Sequence, residues 1–181
     1  NFFNPKFGLT YQTSSGNSLY ASYAVANREP VRRDFTDSPI VDRAPQAENL
    51  QNIEAGIKAN TSKYSYNVNF YYMNYNNQLV LTGQLNDVGA YVRDNVANSY
   101  RAGIEIDGAY KISPKFTLGG NLAISRNKIA EFTEYIDDYS AAEFFQEEIT
   151  YTDTDIAFSP NAVASAILDY KPSKNFEISL L

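Results

Sequence analysis

The 181 residues carry a net charge of −6, 44% hydrophobic and 14% aromatic content, and neither cysteine nor histidine. The acidic balance argues against nucleic acid, whose phosphates call for a basic face. The missing thiols and imidazoles exclude a disulfide framework, thiolate or imidazole metal sites and His-based triads.

No run approaches the ~18 consecutive apolar residues of a spanning helix. Apolar residues instead recur with a period of two, as in strands covered on one face. KFGLTYQ (6–12) aligns Phe7, Leu9 and Tyr11, and SLYASYAVAN (18–27) aligns Leu19, Ala21, Tyr23 and Val25. In QNIEAGIKAN (51–60), Ile53, Ala55, Ile57 and Ala59 oppose Glu54, Gly56 and Lys58. KYSYNVNFYYMNYNN (63–77) sets Tyr64, Tyr66, Val68, Phe70 and Tyr72 against Ser65, Asn67 and Asn69. SYRAGIEIDGAYKI (99–112) sets Tyr100, Ala102, Ile104, Ile106 and Tyr110 against Arg101, Glu105, Asp107 and Lys111. FTLGGNLAIS (116–125), NAVASAILDYK (161–171) and NFEISLL (175–181) complete eight expected strands, each near the length a tilted membrane strand needs. NFEISLL reads as half a strand and NFFNPKFG lacks the features of a signal peptide, so a fragment is expected.

Short and long connections alternate strictly. TSSGN (13–17), TSK (61–63), SPK (113–115) and PSKN (172–175) are turn-forming, whereas residues 28–50, 76–98 and 127–160 form long loops. Up-and-down membrane barrels show this alternation, with tight turns on one side and long loops on the other. Tyr11, Tyr64, Tyr110, Phe116, Tyr170 and Phe176 gather beside the short turns on the apolar parity, as an aromatic girdle would. Strand propensity alone also enriches Tyr and Phe. The expected fold is therefore all-β: an antiparallel up-and-down meander of about eight strands. Its apolar face meets lipid and its polar face a wet lumen. A soluble all-β ligand- or carbohydrate-binding module and a small barrel closing on its own eight strands are the alternatives. SAAE (140–143) before FFQEEI has a capping-box pattern and predicts one short helix in the third long loop.

Several stretches resemble TonB-dependent outer-membrane receptors, especially those of Bacteroidetes-type bacteria. They are NPKFGLTYQ, LYASYAVANREPVRRDF, QNIEAGIKAN, FYYMNYNNQLVLTGQLNDVGAYVRDN, SYRAGIEIDGAYKI and LAISRNKIAEFTEYIDD, and together they cover most of the chain. The resemblance implies a 22-stranded barrel in the bacterial outer membrane, of which this chain is a C-terminal section without the plug. It also implies import of a scarce nutrient, most often a ferric siderophore, driven by the TonB energy-transducing complex acting through the plug.

Three loops hold the candidate ligand contacts. The first, residues 28–50, clusters Arg28, Arg32, Arg33 and Arg43, which can capture an anionic chelate or pair with Glu29, Asp34 and Asp42 in the same loop. The second, residues 76–98, reads as a hairpin with NDVG near its tip and offers Tyr91 and Arg93, although its place favours hairpin packing over ligand contact for Tyr91. The third carries Asp137, Asp138, Glu143, Glu147, Glu148, Asp153 and Asp155. Such oxygens suit calcium, but EF-hand spacing is missing and charge runs are commonly solvated. No pair of carboxylates is fixed in a cleft as glycoside hydrolysis requires, so neither an enzyme nor a cofactor is expected.

Overall fold

A computed structural model describes residues 1–37, 44–86, 88–138 and 145–181, with the backbone alone at Asp137, Phe145 and Gln146. The described elements are β1 (Lys6–Gln12), β2 (Asn17–Arg28), α1 (Arg32–Thr36), β3 (Glu48–Asn60), β4 (Tyr64–Leu85), β5 (Tyr91–Ser113), β6 (Phe116–Asp138), β7 (Phe145–Asp155), β8 (Ala162–Ser173) and β9 (Phe176–Leu180). Every strand pairs antiparallel with its neighbour, in the order β1-β2-β3-β4-β5-β6-β8-β9, with β7 also on β6. This is the antiparallel meander. The sheet is open: among the described residues β1 and β9 each have one partner, so the chain does not close on its own strands.

Register fixes the two faces, because directly opposed residues point to the same side. Leu19, Ile57, Val68, Ile106, Leu122 and Ala164 form one row across β2 to β8 on the apolar side. Ser18, Lys58, Asn67, Asp107, Asn121 and Ser165 form a row on the other. Leu9, Ile53, Phe70 and Ile124 on the apolar side stay 79%, 52%, 52% and 55% exposed. Among the described residues no second layer covers that face. No helix there is long and apolar enough to cross a membrane, which leaves crossing by strands untouched.

Aromatic rings mark both borders of this apolar band. At the short-turn end, Tyr64 faces Tyr110, and Phe116 stacks on Tyr170 with ring centroids 4.5 Å apart. At the opposite end lies a second row absent from the sequence reading: Tyr23 faces Ile53, Ile53 faces Tyr72, and Tyr72 stacks on Tyr100 at 6.1 Å. On the polar face two tyrosines lie flat over glycines of the next strand. A Cβ on Gly56 would stand 2.4 Å from the Tyr20 hydroxyl oxygen, and one on Gly103 would stand 2.7 Å from that of Tyr71. Tyr20 also donates toward Asn67 Oδ1 and Asn69 Oδ1 at 3.1 and 3.0 Å, tying β2 to β4 across β3.

Beyond the second aromatic row β4, β5 and β6 continue as two arms. The β4–β5 arm ends in a turn where Asn86 N–H donates to Ala90 O at 3.0 Å and Gly89 N–H to Asn86 O at 2.9 Å. The β6–β7 arm packs against it: Val96, Ile129 and Ile156 are buried together, with Val80 and Phe132 alongside. Gly83 permits this approach, since a Cβ there would stand 2.9 Å from Tyr135 O.

Nine strand segments appear where eight were expected, because β7 and β8 are two lengths of one course along β6. Ile124 faces Ala162 but Lys128 faces Asp155, so four steps on β6 match seven on its partner and three residues are extruded. The predicted helix starts at residues 140–143, outside the described residues, but Phe145–Ile149, which would continue it, are strand. Pairing with β6 overrides the local capping pattern there.

Candidate functional site

The polar face at the arm end carries the candidate site. Pro30 precedes α1, and Asp34 starts that helix by accepting Val31 N–H at 2.8 Å through Oδ2. Asp34 is buried and its Oδ1 also meets Arg93 Nη1 at 3.4 Å, joining α1 to β5. Asn86 Nδ2 donates to Asp37 O at 3.3 Å, which anchors the other end of α1 to the hairpin tip.

These contacts gather three of the five sequence candidates around one hollow of about 250 Å³, lined by Arg33, Asp34, Asp37, Leu81, Tyr91 and Arg93. Arg33 Nε donates to Asp37 at 2.8 Å, and Tyr91 is 66% exposed. Arg28 lies elsewhere, at the end of β2, ion-paired with Glu48, which also accepts Leu79 N–H at 2.7 Å. Arg32 lies exposed on α1, outside both this hollow and the cleft below, with no ion-pair partner among the described residues. Arg43 and Asp42 lie outside the described residues.

A larger cleft of about 520 Å³ opens beside the hollow, where Arg28, Arg93, Arg101, Tyr75, Phe132 and Phe158 contribute to the lining. Arg93 therefore borders both spaces. Two carboxylates line the cleft as well: Glu48, taken by Arg28, and Asp155, taken by Lys128 at 2.9 Å. Arg101 differs. Its Nη1 donates to the neutral Ser159 Oγ at 2.6 Å.

The extruded residues fold over this same face. Ser159 O accepts Asn127 Nδ2 at 3.4 Å, and Pro160 O accepts Ser125 Oγ at 3.2 Å. Ser125 and Asn127 share the polar side with Arg101, Asn127 being its direct partner in the β5–β6 register. The extrusion thus leans inward and carries Phe158 with it, 99% exposed and at φ 58°. Left-handed backbone is unfavourable for a bulky aromatic residue.

Sequence reading placed Arg101 on the inner parity but had no reason to join it to a loop. Tyr75 and Phe158 carried no signal: AFSPN reads as an ordinary turn. Of the acidic third loop, Glu143 and the Asp137 side chain lie outside the described residues, and among the described residues no group of three carboxylates converges as a metal site would. Instead Asp153 meets Arg126 at 3.0 Å and Asp155 meets Lys128, just beyond the second aromatic row.

Residues 1–180 match a family model described as "TonB dependent receptor-like, beta-barrel". No curated protein sequence matches the chain significantly. Among solved structures, the siderophore receptor PiuA from Acinetobacter baumannii aligns with a TM-score of 0.64 at 18% identity, covering 93% of this chain and 24% of that one. The copper transporter OprC aligns at 0.62 and 13% identity, covering 95% and 32%. The iron transporter FrpB from Neisseria meningitidis aligns at 0.55 and 15% identity, covering 93% and 32%. The chain thus spans from about a quarter to a third of the length of these proteins, and at such identities the likeness concerns the fold.

Proposed function

The chain belongs to the TonB-dependent receptor β-barrel family, and from that premise we propose that it supplies wall and extracellular mouth to an outer-membrane importer of a scarce metal complex, most specifically a ferric siderophore. The family and its structural neighbours are receptors and transporters, not enzymes. The observation that carries the reading is the two-faced open sheet. One face presents exposed apolar residues between two aromatic rows, as lipid requires. The other is polar and ends in an arginine-bordered cleft among long arms.

In this reading the arms face outward and the short turns face the periplasm. Ligand enters from the arm end and meets Arg28, Arg32, Arg33, Tyr91 and Arg93 before descending along the polar face. Arg33 and Arg93 stand beside one hollow with Tyr91 exposed between solvent and protein, an arrangement able to hold an anion by directional donors. The neighbours include a siderophore receptor, a ferric yersiniabactin uptake receptor and an iron transporter, which supports iron complexes as the cargo class. Release needs a change in affinity, supplied by a plug moved by TonB in the inner-membrane proton gradient.

Uptake of radiolabelled ferric complexes by intact cells tests this. Deleting the gene is expected to abolish uptake of one complex, and deleting TonB or adding a protonophore is expected to do the same. Uptake that survives loss of TonB and of the gradient would overturn the proposal.

A further inference from the structure

Resting on the importer reading above, which turns the short connections toward the periplasm, we propose that the short-turn rim binds an anionic phospholipid of the periplasmic leaflet. Its phosphate lies at Lys63 and Lys115, and an acyl chain fills a hollow of the lipid-side face. Charge is the first observation. At the short-turn end, beyond the level of Tyr64 and Tyr110, Lys63, Lys111, Lys115, Lys171 and Lys174 stand against Asp169 and Glu177. Five cations against two carboxylates is a positive surplus in a chain whose total is −6. Three of the four short turns, TSK, SPK and PSKN, carry one of these lysines. Lys63 O accepts Lys111 N–H and Lys115 O accepts Lys171 N–H, both at 2.8 Å, so four of the five lie in two side-by-side pairs. Lys171 also meets Glu177 at 3.2 Å. Each lysine held near an anionic membrane surface adds to the attraction.

The second observation is the side to which this charge reaches. Lys63 Nζ stands 5.4 Å from the ring centroid of Tyr110, which shares the lipid-side row of Tyr64, Leu118 and Leu168. The ammonium therefore bends round from the turn to the lipid side, where its stem covers apolar surface and its head stays at the water's edge. Just inside that row a hollow of about 560 Å³ opens on the same face. Tyr64, Tyr66 and Tyr110 wall it, and Gly108, Gly120 and Ala166 form its floor. Backbone contact keeps the floor bare: a Cβ on Gly108 would stand 2.9 Å from Ser65 O, and one on Gly120 would stand 2.7 Å from Ser165 O.

An acidic surface of a periplasmic protein is the rival occupant of the rim. Such a partner would meet the turns end-on and leave the lipid-side hollow empty. A phospholipid engages every part at once: phosphate at the ammonium, the interfacial region at the level of the Tyr64 and Tyr110 rings, and a chain in the hollow.

The test uses the receptor with its natural flanking sequence, purified in detergent, and native mass spectrometry with two added lipids. One is dioleoyl phosphatidylglycerol; the other is the zwitterionic dioleoyl phosphatidylethanolamine. Phosphatidylglycerol is expected to bind about tenfold tighter. Lys63→Gln combined with Lys115→Gln is expected to bring the two lipids level, and Lys63→Arg with Lys115→Arg to keep the preference. Lys6→Gln, the same loss of charge at the arm end of β1, should change neither affinity. Ala166→Phe, which fills the hollow, is expected to weaken both lipids roughly threefold and keep their ratio. Equal affinities in the unaltered receptor, or a preference that survives loss of both lysines, would overturn this inference in favour of a protein partner. Unchanged binding in Ala166→Phe would overturn the place given to the chain. None of these results touches TonB-dependent uptake, so the importer reading would stand. Labelling of Ser62→Cys on intact cells by a membrane-impermeant maleimide would put the turns outside and count against both.

Discussion

Within the single strand β4, Phe70 and Tyr72 remain 52% and 44% exposed, whereas Leu79 and Thr82 a few residues on are 8% and 4% exposed. The strand crosses from a wall into an arm, and the two regions hide apolar surface by different means. Of the six buried hydrophobic residues among those described, Leu79, Val92, Val96, Ile129 and Ile156 lie in the arms or at their junction, and Ala59 lies in the wall. The arms are thus built like a small soluble protein, two hairpins closing on a core. In the wall the strands between β1 and β9 are paired on both sides, and on the importer reading the bilayer supplies the apolar partner. Large exposed residues are a defect in the first setting and a requirement in the second.

Charge separates the two regions most sharply. Ile106→Arg puts a cation between the two aromatic rows and is expected to cost about 2–4 kcal/mol of folding free energy in lipid vesicles. Val88→Arg at the hairpin tip should stay within about 0.5 kcal/mol. Denaturant titration of the refolded receptor measures both, and equal costs would erase the distinction between wall and arm. A smaller effect is expected from Ile129→Ala, which opens the shared core of the arms for about 2 kcal/mol. Limited proteolysis should then cut the arms faster, while the folded barrel keeps its unheated mobility on gels. Loss of that mobility would show that arms and wall fold as one unit. The smallest change is Asp153→Asn, which removes the partner of Arg126 and a longer contact with Lys128 at 3.9 Å. Both side chains of the Arg126 pair are more than half exposed, so the cost should stay below about 1 kcal/mol and vanish in high salt. A cost that persists in salt would place this pair in a drier setting than the wall's rim.

Much of the wall was legible because its environment is uniform. One face meets one solvent for the whole crossing, so Leu19, Ile53, Phe70 and Ile104 announce it by parity alone. The second aromatic row escaped notice because Tyr23, Tyr72 and Tyr100 come level only through the registers of three pairings. β7 escaped for a related reason. Three residues are extruded between it and β8, an odd number, so the residues sharing a side change from even to odd across the break. FQEEITYTDTD therefore reads as a polar loop unless β6 is known to lie beside it. The candidate site was legible in part. Arg28, Arg33 and Arg93 announce charge near the mouth, but Asp34 and Arg93 meet across 59 positions of chain. α1 has only five residues, too few to show a period, and nothing local marks Phe158 as held out from the strand.

The strand order has a kinetic consequence. Each wall strand lies against the wall strand made before it, β8 reaching β6 past the arm strand β7, so wall pairings follow the order of synthesis. Ordering each new strand closes only one loop, whose entropic cost grows slowly with its length. The sheet can therefore grow hairpin by hairpin as the chain reaches the bilayer, each finished edge templating the next strand. The β7–β8 break falls where such growth would pause: β6 can take on β8 along the wall before the acidic arm above it has closed.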